Sequence, residues 1–263
     1  MARNSVGYTI GFAAAVCVVA GVAVSSASVG LKDRQKANAV ADKQKKVLVV
    51  AGLKTEDEVK TLSIEDAQAA FEASVTPRVV EMGTGDYADD AVELATYDAR
   101  KAAKVDDLSF EVDANDAKVK RVPNHMVVYE VMDDSGSVDQ LILPIHGPGL
   151  WSTLYGFISL DTDGDTIRGI TFYEHAETPG LGGEVDNPNW KALWVGRKVY
   201  DGDGNIAIKV KKGQAGSVEE DPNQVDGLSG ATLTANGVTY TLGFWLSDAA
   251  FGPYLAKNTK KGG

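Results

Sequence analysis

The stretch DGLSGATLT, Asp226 to Thr234, combines three hydroxyl side chains with two glycines and an alanine. Small residues let a backbone approach a ligand closely, and a turn that enters a helix points amide groups and the helix dipole at an anion. Ser229, Thr232 and Thr234 add hydroxyl donors to these amides. The stretch therefore predicts a phosphate site, although each hydroxyl taken alone also fits a helix cap.

Two other glycine-rich stretches present isolated large apolar side chains. In HGPGLWSTLYG (146–156), glycines and a proline set Trp151 in an exposed bend. In EHAETPGLGGEV (174–185), Leu181 is the sizeable apolar residue among the glycines. The three stretches together predict a site for a flat, phosphorylated cofactor, with its rings against Trp151 and Leu181 and its phosphate at the small residues.

Composition excludes several other chemistries. The formal charge of −11 argues against nucleic acid, which requires clustered Lys and Arg. The single cysteine, Cys17, excludes cysteine-based zinc and iron–sulfur sites within the chain. The three histidines lack metal-site spacing, so no metal ligands are predicted. Neither a Gly-x-Gly-x-x-Gly fingerprint nor a Gly-x-Ser-x-Gly elbow is present.

The chain begins with a membrane-like segment, residues 1–31. No charged residue lies between Arg3 and Lys32, and the apolar run from Tyr8 to Leu31 exceeds the roughly 20 residues that cross a bilayer. We expect a retained transmembrane helix in contact with lipid, and the alternative is a cleaved signal peptide ending near Ser25–Ala27. Residues 1–46 carry seven basic and two acidic residues, which leaves −16 for the remainder.

The rest of the chain predicts one α+β domain with a twisted antiparallel sheet and flanking helices. Residues 32–62 have the composition of a polar neck, and residues 63–263 that of the folded domain. Ser63 begins a helical pattern, and alternating apolar residues around Asp-Gly and Ser-Gly turns predict hairpins. The segments concerned are a helix at 63–73, strands at 126–132, 138–145, 154–160 and 166–174, a short helix at 187–194, a hairpin at 198–210 and one helix over 235–255.

The motifs resemble a known family. SGATLT is similar to the flavinylation signature of membrane-anchored FMN-binding domains. GPGLWSTLYGFISL, HAETPGLGGEVDNPNW and VDGLSGATLTANGV, in that order behind one span, resemble the C subunit of the sodium-translocating NADH:quinone oxidoreductases. The likeness covers nearly the whole chain.

This resemblance implies an electron-relaying flavoprotein subunit of a sodium-pumping complex. FMN would be joined to Thr232 by a phosphoester bond that a flavin transferase makes. The other cofactor-binding residues implied are Ser229, Gly230, Ala231 and Thr234 at the phosphate end, and Trp151, Thr178, Gly180 and Leu181 by the ring. The partners implied are the other subunits of the complex.

The resemblance also implies a bacterial inner membrane location with the flavin domain in the periplasm. The positive-inside rule opposes this, because six basic residues follow the span and one precedes it. Two alternatives stay open: a G subunit-like FMN carrier of an Rnf-type complex, and a cofactor-free, membrane-tethered binding or assembly module whose glycine-rich loops are turns.

Overall fold

The computed structural model describes residues 5–259. It begins with helix α1 (Val6–Gly30), which Ser5 caps by accepting a hydrogen bond from the amide of Tyr8, and continues with α2 (Lys32–Val50). An 18-residue window of helix α1 has a mean hydropathy of 2.2, and the helix is long and apolar enough to cross a membrane, a property that anchors and signal sequences share. The apolar helix predicted over Tyr8–Leu31 is therefore confirmed.

The apolar end of α2 packs into the globular part of the chain, and the division predicted at residue 62 stays a prediction. The chain divides into two compact units, residues 1–43 and 44–263. Val47, Leu48 and Val50 belong to a buried apolar cluster of the second unit. Residues 44–62 are thus part of the globular unit, because the apolar end of α2 supplies side chains to its core.

The globular unit is built on a five-stranded antiparallel sheet with the order β1-β4-β5-β6-β7. This confirms the predicted fold class and its two principal hairpins. Two small sheets pair β2 with β3 and β8 with β9. The strands are β1 (Val75–Glu81), β2 (Ser109–Glu111), β3 (Arg121–Pro123), β4 (His125–Met132), β5 (Val138–Pro148), β6 (Thr153–Asp161), β7 (Ile167–Glu174), β8 (Lys209–Val210) and β9 (Gln224–Val225).

Side chains alternate between the two faces of the sheet and bury two apolar clusters. On β6, Ile158 and Leu160 enter the larger cluster, whereas Phe157 enters the smaller one with Val47 and Leu48. Successive residues of a strand point to opposite faces, so both faces of the sheet are covered. The larger cluster lies on the face that carries the C-terminal helices, and it positions the candidate site.

The remaining helices differ from prediction mainly near the C-terminus. The region predicted as one helix over 235–255 forms two, and the first begins three residues earlier, at Thr232. The predicted hairpin over 198–210 is reduced to a bridge between Tyr200 and Ile206, after which β8 pairs in parallel with β9. The α-helices that follow α2 are α3 (Glu56–Thr61), α4 (Ile64–Ser74), α5 (Ala99–Ala102), α6 (Pro188–Ala192), α7 (Thr232–Trp245) and α8 (Gly252–Asn258).

Candidate functional site

The fold brings the three glycine-rich stretches together. Strands β5 and β7 both pair antiparallel with β6, so they run in the same direction and end at the same edge of the sheet. The bend at 149–152 follows β5, and the loop at 175–181 follows β7. Helix α7 packs against the end of β5 and begins beside this edge. The topology therefore explains why stretches far apart in sequence meet.

Helix α7 approaches β5 through two glycines. A Cβ atom built on Gly237 would overlap the carbonyl oxygen of Pro148, and one built on Gly147 would overlap the side chain of Thr241. The indole Nε1 of Trp245 donates a 2.6 Å hydrogen bond to the carbonyl of His146. These contacts fix the body of α7 against the end of β5, which leads into the bend that carries Trp151.

A buried carboxylate links the three stretches. Glu177, 6% exposed, accepts hydrogen bonds from the backbone amides of Leu150 (3.1 Å), Trp151 (2.9 Å) and Ser152 (3.2 Å). The hydroxyl of Thr234, fully buried in α7, donates to the same carboxylate at 2.6 Å. One side chain thus binds the bend, the loop and the helix.

This carboxylate is ionised at neutral pH. Burial raises the pKa of Glu177, but the hydrogen bonds from Thr234 and from the amides of Trp151, Leu150 and Ser152 outweigh burial, so the pKa lies below its usual value. Donors aimed at a carboxylate stabilise its charged form. The site therefore contains a fixed negative charge that is screened from solvent.

The start of α7 has the geometry of an anion site. Its N-cap is Ala231, which gives no side-chain cap, and Thr232 is the first helical residue, with an exposed side chain. The first amides of a helix have no intrahelical acceptor, and the helix dipole favours negative charge there. The structure therefore corrects the cap interpretation of the hydroxyls: the capping position itself carries none.

Leu181, at the end of the loop that follows β7, contacts the turn at Gly230 that precedes α7. Leu181 is 44% exposed, and its Cδ2 lies 2.9 Å from a Cβ built on Gly230. Gly230 has φ +70° and Gly180 has φ +77°, so both turns use backbone conformations that favour glycine. Leu181 therefore lies directly over the turn that precedes Thr232.

The predicted residues differ in exposure. Thr234 is the exception among the hydroxyls, because its position in α7 turns it inward and its hydroxyl is bonded to Glu177. Its hydroxyl is therefore directed at Glu177 and not at the surface, and its contact with a cofactor stays a prediction. Ala231 is also buried. The other predicted residues have exposed side chains or backbone: Trp151 (69% exposed), Thr178, Gly180, Leu181, Ser229, Gly230 and Thr232.

Two cavities adjoin these residues. One of about 500 Å³ is lined by Ser229, Gly230 and Thr232, together with Lys211 and Lys212. Lys211 is paired with Asp221 at 3.1 Å. The other, of about 360 Å³, is lined by residues 117–119 and 146–153, which include Trp151. Thr232 and Trp151 thus line different cavities, and the first combines small residues with two lysines and the carboxylate of Asp226.

Glu177 was missed by the sequence analysis. Its hydrogen-bond donors are mostly backbone amides, which leave no signature in a residue pattern. Helical spacing provides one signal. In a helix that begins at Thr232, Thr234 lies on the same face as Val238, Thr241 and Trp245, which is the buried face. A buried hydroxyl requires a partner, and that partner is Glu177.

The site and fold define a class of protein. Residues 149–247, which contain nearly all of the three stretches, match the sequence model of the FMN-binding domain. The chain is 47% identical over 260 residues to the C subunit of the Na(+)-translocating NADH-quinone reductase of Vibrio vulnificus, covering 98% of this chain and 97% of that one. The chain belongs to the family of the C subunits of the Na(+)-translocating NADH-quinone reductases.

Solved structures agree with this assignment. NqrC of Shewanella oneidensis is 33% identical and superposes with a TM-score of 0.74, covering 85% of this chain and 98% of that chain. The C subunit of the Na(+)-translocating NADH-quinone reductase from Parabacteroides distasonis is 26% identical, with a TM-score of 0.65, covering 86% of this chain and 96% of that one.

Proposed function

We propose that this chain is a membrane-anchored flavoprotein subunit that relays electrons through an FMN joined to Thr232 by a phosphoester bond. The observation that carries the proposal is the exposed hydroxyl of Thr232 at the uncapped N-terminus of the 14-residue helix α7. The FMN-binding domain match and the family membership support the cofactor. When bound, FMN supplies a redox centre that accepts and returns electrons.

The residues at the site fit this group. The first amides of α7 and its dipole would face the phosphate, and Lys212, which lines the adjoining cavity, adds positive charge. Gly230 and Ala231 leave space for the phosphate and for a flavin transferase during maturation. Leu181 and Trp151 offer exposed apolar surface to the isoalloxazine ring and would limit its contact with water. Thr178 and Gly180 lie on the same loop as Leu181.

The proposal includes the setting of the subunit. Helix α1 would anchor it as a single span in the bacterial inner membrane, in contact with lipid. Other subunits of a Na(+)-translocating NADH-quinone reductase would supply and remove the electrons, as the names of the relatives suggest. We place the flavin domain in the periplasm, since long domains translocate largely regardless of flanking charge. A C-terminal reporter active only in the cytoplasm would overturn this orientation.

The test is fluorescence of the denatured protein band under ultraviolet light, with intact mass, after expression with a flavin transferase. The wild type should fluoresce and gain the mass of FMN less one water, whereas Thr232→Ala should be dark at the unmodified mass. Thr76→Ala, which removes an exposed threonine hydroxyl on β1 outside the three stretches, is the matched control and should fluoresce. A dark wild type would favour a cofactor-free binding module, and fluorescent Thr232→Ala would move the attachment point elsewhere.

A further inference from the structure

We propose that Glu177 is the positioning residue of the flavin site. In this role its carboxylate holds the Trp151 bend against the start of α7 and sets the electrostatic potential in which a flavin on Thr232 would work. The inference rests on the proposed function above. It concerns a residue that does not belong to the exposed surface at which the ring and the phosphate would bind.

Each of the two carboxylate oxygens of Glu177 accepts two hydrogen bonds. Oε1 accepts from the amides of Trp151 and Ser152, and Oε2 accepts from the amide of Leu150 and the hydroxyl of Thr234. A neutral amide side chain of the same shape could not satisfy all four, because one of its two polar atoms is a donor. Only an ionised carboxylate therefore matches this set of donors.

The surrounding glycines are matched to the carboxylate. A Cβ on Gly149 would overlap Oε1, and one on Gly182 would lie 2.6 Å from both Oε2 and the hydroxyl oxygen of Thr234. Residues with side chains at these two positions would push the carboxylate away from its donors. Gly149 and Gly182 are thus required by the position of Glu177, independently of any ligand.

The backbone of Glu177 is held as firmly as its side chain. Its amide donates to Nδ1 of His175 at 3.2 Å, and Nε2 of His175 lies 2.8 Å from Asp186. The neighbouring amide of Ala176 donates to the hydroxyl of Ser152 at 2.7 Å. A side chain fixed at both ends in this way transmits position between segments, which a mobile surface carboxylate does not.

The charge of Glu177 has a measurable consequence for a flavin held by these segments. A reduced flavin carries more negative charge than an oxidised one, so a fixed negative charge nearby disfavours reduction. Removing the charge with Glu177→Gln should move the midpoint potential in the positive direction. Thr234→Val keeps the charge but removes one donor that neutralises it, so the potential should move in the negative direction.

The experiment compares full-length holoprotein in detergent for the wild type, Glu177→Gln, Thr234→Val and the control Glu174→Gln. Glu174 lies three residues earlier, is exposed and pairs with Arg100. The readouts are the midpoint potential from a spectroscopic redox titration and the flavin fluorescence of the folded protein. We expect shifts of opposite sign for the first two variants, increased fluorescence where the Trp151 bend is released, and wild-type values for Glu174→Gln.

The outcomes separate this inference from the proposed function. A wild type without covalent flavin refutes the proposed function. A loaded wild type whose Glu177→Gln and Thr234→Val variants keep its potential and fluorescence, and lose only thermal stability, overturns the positioning role. If Glu177→Gln does not fold, Thr234→Val decides by itself, because a negative shift supports the role and an unchanged potential refutes it.

Discussion

The hydroxyl of Thr234 donates a 2.6 Å hydrogen bond to the carboxylate of Glu177 across 57 residues of sequence. Both groups are buried, and the bond joins the first turn of α7 to the loop that follows β7. Since the same carboxylate also binds three amides of the bend at 150–152, the three glycine-rich stretches form one connected unit. The exposed Thr232 lies two residues before Thr234, at the start of the helix that this hydrogen bond holds in place.

The close contact between α7 and β5 predicts opposite effects for two glycines of one helix. Gly237→Ala should destabilise the protein by at least about 2 kcal/mol, because its Cβ would overlap the carbonyl of Pro148 and force the backbones apart. Gly243→Ala should stabilise it by about 0.5–1 kcal/mol, since its Cβ would meet nothing within 4 Å and alanine favours a helix. Urea unfolding of both variants measures the difference, and equal effects would contradict the predicted contact.

The burial of the apolar end of α2 predicts where the chain can be shortened. A fragment starting at residue 44 should fold, because it retains Val47, Leu48 and Val50 in the cluster with Phe71 and Phe157. A fragment starting at residue 63 should lose a cooperative thermal transition. Burying each of the three deleted side chains contributes about 1.5–3 kcal/mol, so their sum rivals the whole stability of a typical domain.

The measurement for the two fragments is thermal unfolding followed by circular dichroism. Two polar contacts support the same outcome: Lys45 Nζ donates to the carbonyl of Leu62 at 2.7 Å, and Glu56 pairs with Lys191 of α6 at 2.5 Å. A cooperative transition in the shorter fragment, at the temperature of the longer one, would show that residues 44–62 are a neck after all.

The ring of His146 predicts a pH dependence of stability. Its centroid lies 4.7 Å from that of Trp245 and 5.4 Å from that of Tyr155. Burial and, to a smaller degree, the charge of Arg100 lower the pKa of His146 from 6.5 to about 4. Because the folded state holds the neutral ring, the stability it contributes is complete above pH 6.5 and is lost as the pH falls towards 4.

The size of this effect is on the order of 2–3 kcal/mol between pH 7 and pH 4. His146→Gln should flatten that part of the curve of unfolding free energy against pH, whereas the control His125→Gln, at the start of β4, should keep it. The check is urea unfolding at half-unit steps of pH. A slope that survives in His146→Gln would assign the dependence to another group.

The fold could be predicted where local pattern and burial coincide. Apolar and polar residues alternate in strands β4 to β7. Ser-Gly and Asp-Gly turns join β4 to β5 and β6 to β7, so both hairpins can be predicted from the sequence. Strand β1 could not be placed, because Pro77 and Arg78 interrupt its apolar residues, and an edge strand tolerates both. The burial of Val47 and Leu48 could not be predicted either, because they end a polar helix and the residues they pack against lie far along the chain.

The candidate site could be predicted only from its exposed residues. Glycines, isolated apolar side chains and hydroxyls identified the three stretches, and the topology brings them to one edge of the sheet. The role of Glu177 could not be found, because it depends on backbone amides meeting a carboxylate in three dimensions. The inward orientation of Thr234 follows from helical spacing only once the start of α7 at Thr232 is known. The start of α7 could not be predicted either, because its N-cap residue is Ala231, which lacks the polar side chain that usually marks a helix N-terminus.

The contact between Leu181 and Gly230 predicts different effects for two glycines with similar backbone angles. Gly180→Ala and Gly230→Ala should each cost about 1–2 kcal/mol, because both have a positive φ that disfavours alanine. Only Gly230→Ala adds a Cβ against Leu181, at 2.9 Å, whereas the Cβ on Gly180 meets nothing within 4 Å. Leu181 must therefore move, and the turn before Thr232 moves with it.

On the proposed function, this displacement should lower the fraction of Gly230→Ala that carries covalent flavin, while Gly180→Ala should be loaded like the wild type. Flavin fluorescence of the denatured band per amount of protein measures loading, and urea unfolding measures stability on the same samples. Equal stability losses with unequal loading would identify the Leu181 contact as part of the attachment site. Equal loading in both variants would show that the turn tolerates movement of Leu181 and that attachment at Thr232 depends on α7 alone.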